Sequence, residues 1–443
     1  MKLEEIREKL RDKEVLFIIM SIIFILFMFI FYGSRLVHYY KIEHPKPSSD
    51  ETTYLVDILK SKETVIEPGL VKKNSSYYYV GDVEDNYLKY SGILFRIIKI
   101  NEDLTIELIS SENQTLLNFN NVYDWMNKTS NFNSGKFIKN INQDLLTTTS
   151  ICKDVINDIN NVTCNEIVNN YNVELISLYD YVQAGANNSY LNNDSYFYIS
   201  SLGDNKYYYI FDEGGVSSKD KDDHQNYGIR PVITLKSGVE IISGDGTIDN
   251  PYIVEKEKKE SLKDTNINDY VEFNNQLFKV IDKEEDKVLV ALDGVLSVKD
   301  KKITTIFDSY STIYQKNTLI YEYLNKTYYE TFKNKDYIIK SDFKNGEYSF
   351  SNQYNLNEIY ENKTNANIGL LSIGDFNINE VEDVFLMTSG GNVNYIINEE
   401  KLYGVNNNTE HYLRPILYLD NNLKITNDGT KENPYQLSRW DNE

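Results

Sequence analysis

One long passage is written twice in this chain. RPVITLKSGVEIISGDGTIDNPYIV begins at Arg230, and RPILYLDNNLKITNDGTKENPYQL begins at Arg414. Further blocks recur in the same order upstream. SGILFRIIKINEDLTIELI, containing Phe95 and Arg96, matches NNQLFKVIDKEEDKVLVAL, containing Phe278 and Lys279. VYDWMNKT at Val122 matches IYEYLNKT at Ile320, ISLYD at Ile176 matches LSIGD at Leu371, and FYISS at Phe197 matches FLMTS at Phe385. Five ordered blocks imply two tandem copies of one module. The period is too long for a solenoid, whose units run to about 20–50 residues, so each copy is expected to own a core.

The pattern within a copy predicts an α+β fold in which strands dominate. LFRIIKI and TIELI alternate across a turn and read as a β-hairpin, with Leu94 and Ile97 on its core face. Val122, Trp125 and Met126 fall at helical spacing, repeated by Ile320, Tyr323 and Leu324. ELISLYDYVQAG reads as a short helix stopped at Gly185. FYISS and KYYYIFDEGG read as paired strands, and RPVITL as a strand that places its proline first, where a missing N–H costs least.

Residues 15–34, VLFIIMSIIFILFMFIFYGS, carry no charge. At 1.5 Å per residue the segment spans about 30 Å, the hydrocarbon thickness of a bilayer. A signal peptide would have a shorter apolar run and a small-residue cleavage site. Lys2, Arg7, Lys9, Arg11 and Lys13 precede the span, against Arg35, Lys41 and Lys46 after it, which favours a cytoplasmic N-terminus. The expected organisation is a cytoplasmic tail (1–14), a transmembrane helix (15–34) in the lipid bilayer, a stalk (35–75) that adds a short helix at TYLVDILKSK, a first repeat (76–256), a charged linker (257–264) and a second repeat (265–438). Both repeats would then lie outside the cell. A net charge of −21 argues against a nucleic-acid partner, because no basic footprint is present to displace counterions from phosphates.

The candidate sites are few. Asp245 and Asp249 in the first turn, with Asp428 and Glu432 at the equivalent places in the second, present carboxylates near Thr and Asn oxygens and could ligate Ca²⁺. The competing reading is a turn in which Asp bonds its own backbone and Gly takes positive φ; it is preferred because the spacing does not match an EF-hand loop. Arg230 and Arg414, each before proline, are expected in a buried ion pair that fixes the start of a strand. No GxSxG, HExxH or glycine-rich phosphate loop occurs, and the two copies share no catalytic constellation, so no catalytic residue is assigned.

The stretch YYYVGDVEDNYLKYSGILFRIIKINEDLTIELI, followed by YGIRPVITLKSGVEIISGDGTIDNPYIV, resembles a family of uncharacterised surface proteins from low-GC Gram-positive bacteria and their wall-less relatives. The resemblance spans the first copy, from about Ser76 to Val254; the second is more diverged. It implies exported repeat domains on one N-terminal membrane segment, sometimes a pilin-like one. The glycine cleavage point and glutamate of a pilin leader are missing around Glu14-Val15. More distantly, the order of elements resembles the C-type-lectin-like fold. The resemblance implies location and repeat structure, not an activity. Two copies that keep hydrophobic blocks and turns but no shared catalytic constellation read as duplicated scaffolds, so the expected role is binding at the cell surface, to a protein or glycan; an anchored extracellular enzyme and an envelope or pilus-like assembly subunit are the alternatives.

Cys152 and Cys164 are the only cysteines. In an exported chain a local disulfide is expected, adding roughly 3 kcal/mol by the chain-entropy model; in a reducing compartment both would be free thiols. Mass spectrometry of an unreduced digest is expected to find the two cysteine peptides joined, and to find them apart after reduction.

Overall fold

A computed structural model describes Thr53 to Trp440, except for residues 131–133, 159–160, 169–170, 204–205, 222, 224, 256–258, 346–362, 376–382, 391–392 and 399–400. The predicted membrane segment at 15–34 therefore lies outside the described residues. Among those described, no helix is long and apolar enough to cross a membrane. The fold is α+β and mostly β, with several sheets and short helices. Residues from Tyr54 onward form one compact unit, and their buried apolar side chains join in one connected cluster.

The same pairing scheme appears twice. In the first half, strand Tyr87–Tyr90 pairs antiparallel with Ile93–Ile100, which pairs with Ile106–Ser110, which pairs with Val232–Leu235. Tyr252–Ile253 returns to lie parallel to Tyr87–Tyr90. In the second half, Tyr270–Phe273, Gln276–Lys283, Lys287–Leu292 and Pro415–Asp420 pair in the same antiparallel order, and Tyr435–Ser438 lies parallel to the first of them. The two companion sheets also agree. Val216–Asp220, Lys206–Ile210, Phe197–Gly203, Asn226–Ile229 and Thr115–Asn118 are matched by Lys401–Val405, Val393–Asn398, Val384–Gly390, Glu410–Tyr412 and Thr304–Ile306. A parallel pair sits at the same place in each.

Even an irregularity is repeated. The register of the central hairpin shifts between Ile97 and Lys99 in the first half, and between Val280 and Asp282 in the second. A bulge of this kind re-aims the side chains beyond it. It corrects the simple alternation read from sequence: Ile93, Phe95 and Ile97 line the core while Leu94 is only half-buried, and beyond the shift Ile98 and Ile100 are buried too. The polar residues of this strand are also enclosed, because Arg96 and Lys99 are held by bonds from neighbouring elements.

The helices form where the spacing places them. Phe119–Met126 is capped by the Asn118 side chain, which accepts from Asn120 N, and it buries Val122, Trp125 and Met126. Its counterpart begins as the α-turn Leu319–Glu322 and widens into a π-helix over Tyr323–Tyr328, with Ile320 and Leu324 buried. Leu178–Gln183 is capped by Ser177, and Gly185 beyond it takes φ +108°. The expected stalk helix forms at Leu55–Ser61, but Leu55, Val56 and Leu59 are buried, and Leu55 N donates to Val239 O. Strand Gly69–Lys73 then pairs with Ser76–Val80. Tyr54 to Lys73 is thus part of the folded body. Of the charged linker, Leu262 is fully buried and its N–H donates to Leu423 O in the second half.

The twice-written turn acts as a bracket. Asp245 Oδ1 accepts from Thr247 N and Oγ1, and Asp428 Oδ1 accepts from Thr430 N and Oγ1. The carbonyls of Gly246 and Gly429 accept from Tyr87 N and Tyr270 N, tying each turn to the first strand of its sheet. Those tyrosines in turn lie under cations: Arg96 is 3.9 Å from the Tyr87 ring centre and Lys279 is 5.6 Å from that of Tyr270. Gly246 (φ +91°) and Gly429 (φ +76°) also leave room for the buried rings of Tyr252 and Tyr435. A Cβ at Gly246 would come within 2.3 Å of Asp85 O and 2.6 Å of the Tyr252 ring. Gly246→Ala is therefore expected to cost about 2 kcal/mol or more in urea unfolding. Gly238→Ala, also at positive φ but with nothing within 4 Å, should cost only about 1 kcal/mol.

Candidate functional site

The residues singled out by sequence fall into structural roles. Hydrogen bonds from the Thr247 backbone and hydroxyl hold Asp245 below the usual carboxylate range, and Asn433 with Thr430 does the same for Asp428. Asp249 and Glu432 stand exposed on the same turns. Lys62 lies against the first turn, donating to Asp245 O at 2.9 Å and pairing with Asp85 at 2.8 Å. Among the described residues, no group of three or more His, Cys, Asp and Glu is placed to hold a metal. Cys152 and Cys164 fall on the paired strands Ile151–Asp158 and Asn161–Val168, and Cys164 is disulfide-bonded.

Arg230 is buried as expected, but not in an ion pair. Its Nε donates to Ser110 O at 2.8 Å and its Nη1 to Leu191 O at 2.5 Å, while the guanidinium lies 4.8 Å from the Phe197 ring centre. Burial pushes it down to about 10. Arg414 Nε donates to Leu292 O, the register-equivalent of Ser110, at 2.8 Å. Carbonyls at a strand end are fixed acceptors that a guanidinium fork can span, so for Arg230 they hold the strand start.

The informative cluster lies elsewhere. In the first repeat, Lys99 Nζ is buried between Asp180 Oδ1 at 3.0 Å and Glu107 Oε1 at 3.3 Å. Tyr78 OH and Ser177 Oγ donate to the same aspartate, and Asn101 Nδ2 donates to Glu107. Asp180 keeps a carboxylate counterpart in the second repeat, because ISLYD aligns with LSIGD and places Asp375 there. Lys99 does not keep a lysine. Counting along the matched strands through the matched bulge, Lys99 becomes Asp282, and Glu107, which faces Lys99, becomes Leu289, which faces Asp282. The buried cation has been exchanged for an anion.

The first repeat supplies the missing charge. Lys136 Nζ lies 2.5 Å from Asp375 Oδ1 and 3.8 Å from Asp282 Oδ2, and Lys139 Nζ lies 3.0 Å from Asp282 Oδ1. Asn140 Nδ2 adds a bond to Asp282 at 2.9 Å. Burial works against ionisation of Asp282, but Lys139 and Lys136 win and hold it down to about 2. Two further bonds close the seam. Trp125 Nε1 donates to Gly374 O at 2.8 Å, and Thr115 Oγ1 to Asp375 O at 3.0 Å. Gly374 stands where the first repeat has Tyr179.

Beside this lock the seam opens into a cleft of about 280 Å³. Lys128, Ser134, Lys136 and Lys139 come from the first repeat. Asp282, Leu289, Phe343, Lys344, Leu370, Ser372, Asp375, Met387, Ile416 and Tyr418 come from the second. Its floor is apolar, in part because Leu289 replaces the glutamate. Burial, and then the neighbouring Lys136, push Lys344 below the usual lysine range. None of these residues was singled out in the sequence. The available signal was the charge reversal Lys99 to Asp282 inside an otherwise well-matched block.

A scan of family models, a search of curated proteins and a search of solved structures each returned no match to this chain.

Removing the cation from a buried pair leaves uncompensated charge, which costs about 3–5 kcal/mol. Lys136→Met is expected to destabilise the chain by that order in chemical denaturation. Adding Asp282→Lys, which restores the arrangement of the first repeat, should recover more than half of the loss. Asp282→Lys alone, crowding a third ammonium beside Lys136 and Lys139, should not stabilise.

Proposed function

We propose that the protein is a surface-anchored binding protein, held in the membrane by residues 15–34 with two homologous repeats outside, and that the cleft at their seam is its ligand site. The observation that carries this reading is the cleft: a concave space with apolar side chains at its floor and charged and hydroxyl groups around them, built jointly by both repeats. Small-molecule sites are concave and often sit between modules. The duplicated turns and the buried arginines are engaged in holding the sheets, so they leave the seam as the place where the chain presents unshared chemistry. The role is that of an adhesin-like or cell-surface interaction protein.

Two measurements test it. Protease added to intact cells is expected to remove the repeats and spare the membrane segment; digestion only after lysis would overturn the outward placement. The full chain in detergent is expected to capture ligands from glycan and metabolite arrays. The K128C variant, alkylated at that exposed mouth residue with a bulky maleimide, is expected to lose them at least tenfold, a change of about 1.4 kcal/mol. Undiminished capture by the alkylated variant would show that binding occurs elsewhere.

A further inference from the structure

We infer that the seam cleft binds a small organic acid carrying one anionic group, seated with that group at Lys128 and Lys139 and its apolar body on Leu289, Ile416 and Tyr418. The inference rests on the cleft being the ligand site and adds the chemistry of its ligand.

The charged residues facing the cleft are four lysines and two aspartates. The aspartates are already saturated. Asp282 accepts from Asn140 Nδ2, Lys139 Nζ and Lys283 N and lies beside Lys136, and Asp375 takes Lys136 on one oxygen and Ser372 N on the other. A cation would have to displace these ammonium groups. The neutral hydroxyls are also committed: Ser134 Oγ bonds to Thr129, and Ser372 Oγ donates to Lys344 O. A neutral sugar would therefore meet few donors or acceptors open to it. What faces the mouth is ammonium. Lys128 is exposed and forms no hydrogen bond or ion pair with any described residue, and the Lys139 side chain is 44% exposed, with three N–H donors of which Asp282 draws on only part.

The floor sets the rest of the ligand. Inorganic phosphate or sulfate would leave the exposed edges of Leu289, Ile416 and Tyr418 wet, whereas an apolar body would release that water. The volume, at the low end of ligand pockets, selects a small body. The net charge of −21 selects against a polyanion, because the approach of each further negative group is opposed by the protein's own field. A nucleic acid or an anionic polymer fits poorly for the same reason. A single carboxylate on a hydrophobic stem meets all three conditions.

The test is calorimetric titration of the full chain in neutral detergent with acetate, hexanoate and phenylacetate, with 2-phenylethanol as an uncharged match and inorganic phosphate as a bare anion. Phenylacetate or hexanoate is expected to bind about tenfold or more tighter than acetate, phosphate and 2-phenylethanol. Lys128→Gln, a surface change outside the buried lock, is expected to weaken the acid about threefold to tenfold and to leave 2-phenylethanol unaffected, with added salt acting in the same direction. Equal binding of 2-phenylethanol, equal binding of phosphate, or indifference to Lys128→Gln would each overturn the inference. So would failure of every acid to bind. If array ligands are still lost when K128C is alkylated, that failure removes the acid and keeps the cleft; if they are not, the cleft goes as well.

Discussion

The arrangement of this chain depends on a lysine of the first repeat placed between two carboxylates of the second. Two ionised carboxylates in one buried site repel, and burial alone would raise their affinity for protons. With Lys136 between them, and Lys139 on the outer side, Asp282 stays ionised. The lock gives little net stability for its cost, since taking charges out of water is expensive and their mutual attraction returns only part of it. Its effect is on specificity: the second repeat is electrostatically incomplete until the first is docked in one orientation. The joint is therefore more than a linker between beads, which fits the single connected core.

The cleft follows from the same exchange. In the first repeat Glu107 reaches Lys99, and a helix carries Asp180 to the same lysine. In the second, leucine replaces the glutamate, glycine replaces Tyr179, and the lysine arrives from outside. Trp125 uses the opening left by that glycine to reach a carbonyl. The contact with the first copy and the cleft beside it both lie where these residues differ from the first repeat.

Much of the fold was legible because its determinants are local. Alternation placed the strands, i, i+3, i+4 spacing placed the helix around Trp125, and Asp-Gly-Thr with Asn-Pro-Tyr placed the turns. The stalk misled because Leu55, Val56 and Leu59 are apolar at helical spacing in a segment judged mainly by its prolines; their partner, Val239, lies far along the chain. Arg230 misled for a related reason: its acceptors are backbone carbonyls, which every residue has and no sequence advertises. The seam was illegible residue by residue. Lys136 sits in no matched block, and its role appears only when the lysine-for-aspartate reversal two strands away is set against the retained Asp180 and Asp375.

That contrast separates the two kinds of information a doubled sequence holds. Residues kept in both copies, such as the aspartate and glycine of each turn and the arginine before each proline, all hold sheets in this structure. A site used independently by each copy would show as a shared polar constellation, and the shared polar residues are already engaged: those of the turns and the arginines with the backbone, Asp180 and Asp375 with buried lysines. Three of the many departures, Lys99 to Asp282, Glu107 to Leu289 and Tyr179 to Gly374, meet at one surface. With a compensating lysine opposite, they direct the search for a ligand to the surface that neither repeat owns alone.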